Sequence, residues 1–174
     1  MHLMRKRSTH KKGRTGYSLA ELPAGMIFLF VGVAIPLICL ASVTYRASLL
    51  YFACRNSCIK AAKAPTWTEA VSRAATTFNQ SVSAFTEISG THQIRILIKP
   101  VSGATPSTVS GPLARNSIST SNNLYFIRET VNGTVSPLFG MGSYLGLQIP
   151  GLTSAFRLRL RYDALVENAD GLTE

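Results

Sequence analysis

A run of 24 residues without a charged side chain, from Leu22 to Tyr45, constrains this chain more than any other feature. As a helix rising about 1.5 Å per residue, the run would be roughly 36 Å long, enough to cross a hydrocarbon core of about 30 Å. A secretory signal peptide fits less well, because its apolar core is only about 7–15 residues long. Tyr45 and Arg46 end the run with an aromatic and a basic side chain, as is typical of a membrane interface. The sequence therefore predicts a retained transmembrane helix bounded by Leu22 and Tyr45.

The chain carries 18 Lys and Arg against 8 Asp and Glu, a formal charge of +10, but these charges are unevenly placed. Six of the bases and none of the acids precede Gly16, so residues 17–174 alone would carry a net charge of +4. A basic arm can bind phosphates, yet no nucleic-acid-binding module follows this one. Beside a membrane span, a basic segment indicates the cytoplasmic side. We therefore expect a cytoplasmic N-terminus, an extracytoplasmic C-terminal part, contact with membrane lipid and no nucleic acid.

The basic segment and the apolar run meet at Gly16-Tyr17-Ser18-Leu19-Ala20-Glu21. A carboxylate near the lipid core is costly unless it is paired, which makes Glu21 a candidate functional residue. A glycine before an apolar helix, with a glutamate at the fifth position after it, resembles the cleavage site of type IV prepilins. With Ala20-Glu21-Leu22 in the last three positions, the junction is most similar to that of the TadE-like pseudopilins of tight-adherence systems.

This resemblance implies that a prepilin peptidase cuts between Gly16 and Tyr17, and that Glu21 then pairs with the new N-terminal amine of a neighbouring subunit. Residues 1–16 would be a basic leader peptide, residues 17–64 a transmembrane and extended N-terminal helix, and residues 65–174 an extracytoplasmic domain.

The chain would then be an accessory (minor) pseudopilin in the cytoplasmic (inner) membrane, and after assembly in an extracellular pilus. It would contribute to assembly of a tight-adherence pilus or a related secretion apparatus, with adhesion as an associated role. Its partners would be the peptidase, other pilin or pseudopilin subunits and an inner-membrane assembly platform. The alternative is an unprocessed single-pass membrane protein with an extracytoplasmic binding or scaffolding role.

Beyond the span, residues 46–64 contain no Gly or Pro and can continue the helix until Pro65 ends it. Pro36, in mid-span, predicts a kink or local unwinding. Thr66-Trp67-Thr68-Glu69 has the spacing of a capping box and predicts the start of a second helix that ends by Gly90. The apolar residues of this helix recur every three or four positions: Trp67, Ala70, Val71, Ala74, Ala75, Phe78, Val82 and Phe85.

The rest of the chain predicts strands and loops. Alternation indicates strands at residues 94–99, 124–131 and 155–162, the second ending in a tight turn at Asn132-Gly133. Residues 101–122 read as a loop without core residues, and the acidic tail after Asp163 as frayed. The predicted fold is therefore α+β, with a long N-terminal transmembrane helix followed by a second helix packed on a small antiparallel sheet.

No residue pattern predicts an enzyme, and we expect no catalytic residue, metal or cofactor. His92 is the one histidine beyond the basic segment, and no nucleophile motif accompanies it. Cys54 and Cys58 would share a helical face, where a disulfide is awkward and a metal lacks further ligands, so a structural role is favoured over redox or metal chemistry; Cys39 reads as an apolar filler.

For two surfaces the sequence allows two interpretations each. The uncharged segment Leu138–Ala155 would be either a loop packed on its own domain or an exposed patch that contacts other subunits. Three arginines, Arg157, Arg159 and Arg161, would line one face of the last strand, either solvated or facing an acidic partner or anionic headgroups.

Overall fold

The computed structural model describes residues 17–139, 143 and 146–173, with side chains described from Leu22 onward. It confirms the α+β fold: a long apolar N-terminal helix, a second helix and a four-stranded antiparallel sheet. The described residues divide into two compact units, of which the first ends at Ile38 and the second begins at Cys39. The elements, in chain order, are α1 (Tyr17–Leu29), a π-helical turn (Phe30–Ala34), α2 (Ile35–Ala62), α3 (Trp67–Ser83), β1 (Ile88–Pro100), β2 (Ser107–Val109), β3 (Asn123–Val135), β4 (Phe156–Leu165) and a 3-10 helix (Ala169–Thr173).

In the first unit, the helix widens where the sequence predicts a disturbance. The N–H of Ile35 donates to the carbonyl of Phe30, five residues earlier, and Pro36 follows directly. A proline inside a helix lacks an N–H and its ring clashes with the carbonyl four residues before it, so a wider turn accommodates it. Pro23, by contrast, lies within α1, which continues past it to Leu29.

The helix from Leu22 to Ala62 is long and apolar enough to cross a membrane, at 41 residues. It runs through Tyr45 without a break, as the sequence predicts. The second unit begins at Cys39, and the side chains of Cys39 and Val43 are buried. The last residues of the predicted span are therefore already packed within the unit that contains the sheet.

The second unit is built around β3, whose alternate residues form one inward row. The strand order is β2-β1-β3-β4, which places β3 between two long partners. Both α2, from Cys39 onward, and α3 contribute to its buried core, whereas the sequence suggests only one helix on the sheet. The buried residues of the inward row are Tyr125, Ile127, Glu129, Val131, Gly133 and Val135.

Helix α3 begins as the sequence predicts. The Thr66 hydroxyl accepts a hydrogen bond from the N–H of Glu69 at 3.2 Å, which satisfies one free donor of the first turn. The Glu69 carboxylate instead accepts from Nε of Arg73 at 2.9 Å. Trp67 and Phe78 of the predicted stripe are buried, but Val71 and Phe85 are exposed.

The predicted turn at Asn132-Gly133 is wrong, because both residues lie inside β3, which continues to Val135. Gly133 pairs with Gly90 of β1 and with Leu158 of β4. Its lack of a side chain serves packing: a Cβ atom at this position would collide with the buried side chain of Leu50 on α2. Gly90 likewise lies within β1 rather than at the end of α3.

Two segments predicted to stay out of the core contribute to it. Residues 101–122 supply the short strand β2 and the buried side chain of Leu113. The tail does not fray, since Leu172 is buried and its carbonyl accepts from the N–H of Leu113 at 2.7 Å. The N–H of Glu167 donates to the carbonyl of Ala62 at 3.1 Å, which ties the tail to the end of α2.

We expect Gly133→Ala to destabilise the full-length protein by about 1–3 kcal/mol, because the added methyl group overpacks the contact with Leu50. Leu50→Ala alone should cost about 2–5 kcal/mol. The double variant should cost less than the sum of the two, since each change relieves the other. Thermal unfolding of the detergent-solubilised chain, followed by near-UV circular dichroism, measures all three, and strict additivity would contradict the packing described.

Candidate membrane anchor and assembly site

The predicted processing site lies at the start of the N-terminal helix. Gly16 is outside the described residues, and Tyr17 is the first residue of α1. Glu21 lies in the helical backbone of α1, with its side chain outside the described set. Leu22 and Tyr45, the predicted boundaries of the span, both lie on the same uninterrupted helical segment and are both exposed.

The described side chains of the first unit form an almost wholly apolar surface. Ten of its large apolar residues are 41–74% exposed within the structure, and Ile35 is half-buried. A helix that is apolar on every side requires lipid or other apolar helices around it. These residues are Leu22, Met26, Ile27, Phe28, Leu29, Phe30, Val31, Val33, Leu37 and Ile38.

A buried carboxylate lies at the centre of the second unit. Glu129 is 0% exposed, and its Oε2 accepts a hydrogen bond from the hydroxyl of Ser57 on α2. Its Oε1 is 3.4 Å from Nδ1 of His92 on β1, whose ring stacks on Phe78 of α3 at 4.8 Å between centroids. Burying a carboxylate is expensive unless it is paired or hydrogen-bonded, so this cluster ties two helices to two strands.

The geometry of this cluster is not that of a nucleophile activated by histidine. The carboxylate lies between the hydroxyl and the imidazole, and Ser57 is fully buried. Nucleophilic catalysis needs the base in contact with an accessible hydroxyl. Sequence reasoning missed Glu129, although its position between Ile127 and Val131 in an alternating strand was a signal that its side chain points inward.

All three cysteines lie in the interior of the second unit. Cys39, Cys54 and Cys58 are free and buried, and the thiol of Cys58 donates to the carbonyl of Ile127 at 3.2 Å. Among the described residues, no group of three or more His, Cys, Asp or Glu side chains is placed to hold a metal ion.

The face of the sheet opposite the helices is basic. Arg157, Arg159 and Arg161 are all exposed on it, in the alternation that the sequence predicts. Nε and Nη2 of Arg128 donate to the two carboxylate oxygens of Asp163 at 2.7 and 2.8 Å. These hydrogen bonds lower the pKa of Asp163 below its ordinary value. The solvated and the acidic-partner interpretations of this face both fit the exposed arginines.

Part of the loop between β3 and β4 packs on its own unit, and part of it is an exposed apolar patch. Residues Gly151, Leu152 and Thr153 are buried, and Gly151 lies against Val43 of α2, so one end packs on its own unit. Leu138, Phe139 and Leu147 are exposed. The loop is therefore a packed base that carries exposed apolar side chains.

Comparison of the chain with protein-family models, with curated proteins and with solved structures found no match.

We expect Ser57→Ala to lower the free energy of unfolding by about 1.5–3 kcal/mol, because it removes the hydroxyl that donates to a buried carboxylate. Ser48→Ala is the matched control, since the Ser48 hydroxyl makes only an exposed bond to the carbonyl of Thr44 on the same helix. Denaturant unfolding in detergent compares the two. Equal effects would show that the Ser57–Glu129 hydrogen bond does not stabilise the fold.

Proposed function

We propose that this chain is an accessory (minor) pseudopilin of the TadE-like type, cut by a prepilin peptidase between Gly16 and Tyr17. It contributes to assembly of a tight-adherence pilus or a related secretion apparatus. The junction carries this proposal: a glycine precedes an α-helix that begins at Tyr17, includes Glu21 and continues with apolar residues.

The architecture beyond the junction supports the proposal. The second half of the long helix packs on a four-stranded antiparallel sheet, which agrees with the general plan of pilins, a helix followed by a small sheet. The exposed apolar side chains of residues 22–38 suit a helix that moves from lipid to a bundle of similar helices.

Charge pairing gives such a bundle its driving force. After cleavage, the amine of Tyr17 would be a cation close to the lipid core, and Glu21 would be an anion at a similar depth. Each charge alone is costly to desolvate, and pairing between neighbouring subunits offsets both costs. Assembly would therefore be favoured only once the leader is removed.

The proposal also implies where the protein is located and which partners it has. The basic leader would stay on the cytoplasmic side of the inner membrane, with the sheet on the other side. The partners are the prepilin peptidase, other pilin or pseudopilin subunits, an inner-membrane assembly platform and membrane lipid. The role is structural rather than enzymatic.

Gly16→Ala tests the cleavage. We expect the wild-type chain to lose 16 residues, with Tyr17 as its new N-terminus, only in cells that contain a prepilin peptidase, whereas Gly16→Ala stays full-length. Gly25→Ala is the matched control, because an added Cβ there meets no atom within 4 Å, and it should be cut normally. Mass spectrometry reads the result. A wild-type chain that keeps Met1 beside an active peptidase would refute processing and favour the unprocessed single-pass protein.

Glu21→Gln tests the charge pairing. We expect this variant to be cut normally but incorporated into fibres about tenfold less, equivalent to a loss of roughly 1.4 kcal/mol. Glu21→Asp should retain part of the incorporation, and Glu69→Gln, which changes a carboxylate on α3 of the second unit, should retain all of it. Immunoblots of sheared fibres measure incorporation, and normal levels for Glu21→Gln would rule out pairing as the driving force.

A further inference from the structure

We propose that the loop between β3 and β4 inserts exposed apolar side chains into the headgroup region of the membrane that holds the helix. The structure describes residues 136–139, 143 and 146–155 of this loop, and the side chains concerned are Leu138, Phe139 and Leu147. The inference rests on the membrane anchor that is part of the proposed function, but it does not depend on cleavage.

Both ends of the loop are attached to α2 where the predicted span ends. At its start, Nη1 of Arg46 donates to the carbonyl of Ser136 at 2.6 Å. Near its end, a Cβ added to Gly151 would lie 3.6 Å from Cγ1 of Val43. The predicted boundary, Tyr45, lies between these two attachment points. The loop is therefore held at the level at which the helix leaves the hydrocarbon core.

The composition of the loop suits this depth. No charged residue occurs from Leu138 to Ala155. Leu138, Phe139 and Leu147 are 46%, 53% and 60% exposed. Apolar side chains in water carry an unfavourable hydration cost, and burial at the boundary between headgroups and acyl chains removes it.

The base of the loop is fixed, so the exposed side chains are presented from a stable support. Leu152 and Thr153 are buried. The Thr153 hydroxyl accepts a hydrogen bond from the N–H of Ile149 at 2.8 Å, and the N–H of Gly151 donates to the carbonyl of Ser154 at 2.8 Å. The loop thus adds a second attachment to the membrane beside the helix. This attachment restricts how far the second unit, with its part of α2, can rotate relative to the membrane.

Lipid is favoured as the occupant over a second copy of the chain because of the neighbouring surface. Tyr45 and Leu40, at the same end of the second unit, are also exposed. A tyrosine at the end of an uncharged apolar run, where the helix itself continues, is typical of a residue at headgroup level. The exposed loop side chains therefore lie at the same end of the second unit as exposed residues of the predicted span.

The test places an environment-sensitive fluorophore on the full-length protein in lipid vesicles, at a protein-to-lipid ratio low enough to keep copies apart. Leu147→Cys and Phe139→Cys carry the probe, and the buried native cysteines, Cys39, Cys54 and Cys58, give the background measured with the wild-type chain. Ser107→Cys on β2 is the control. It is exposed and pairs with Ile98 near the far end of β1, away from the end where Ile88 pairs with Val135.

We expect brominated lipids to quench the probe at positions 139 and 147 at least about twofold more strongly than at position 107, with blue-shifted emission. Equal quenching at all three positions, in protein that resists extraction with carbonate, would overturn this inference and leave the anchor intact. Release by carbonate would overturn the anchor and this inference together. Protection of the probe that rises with protein-to-lipid ratio, without quenching by lipid, would assign the patch to a second copy instead.

Discussion

Two contacts with β3 position on the sheet the part of α2 that belongs to the second unit, from Cys39 onward. Glu129 needs the Ser57 hydroxyl because its carboxylate is fully buried, and Gly133 admits Leu50 because it has no side chain. On the helix these partners are separated by roughly 10 Å, at about 1.5 Å per residue. On the strand Glu129 and Gly133 are separated by roughly 13 Å, at about 3.3 Å per residue. The two spacings are similar, so the pair of contacts sets both the axial position and the rotation of the helix on the sheet.

The position of α2 along β3 also determines contacts at both ends of the second unit. At one end, Arg46 holds the start of the β3–β4 loop, and Gly151 packs beneath Val43. At the other end, the carbonyl of Ala62 accepts a hydrogen bond from the N–H of Glu167, and the side chain of Leu172 is buried in the core. The loop and the tail are both held by the same helix. A shift of α2 along β3 would therefore disturb the buried carboxylate of Glu129 and both ends of the unit together.

The sequence predicted correctly those elements that depend only on residues close together in the chain. The Thr66 cap and the alternation in β4 depend on neighbouring residues, and both lie where the sequence predicts them. Gly133 was misread because Asn-Gly is a common turn dipeptide, whereas the reason for glycine there is a contact with Leu50, 83 positions away in the chain. Leu172 was missed for a similar reason, since one leucine in an acidic tail has no periodicity. At the candidate site, the processing junction stays a prediction that rests on adjacent residues alone. The Glu129 cluster could not be predicted from the sequence, because Ser57, His92 and Glu129 come from three elements.

The row of arginines on β4 bears on how copies of this chain can associate. β4 ends the strand order, and no strand among the described residues pairs with its outer edge. An unpaired edge is a template on which another chain could extend the sheet, and charged side chains are one means by which proteins discourage this. A second β4 laid alongside would bring Arg157, Arg159 and Arg161 close to their own counterparts, and like charges opposite one another are unfavourable. Pairing of two copies through their β4 edges is thereby disfavoured.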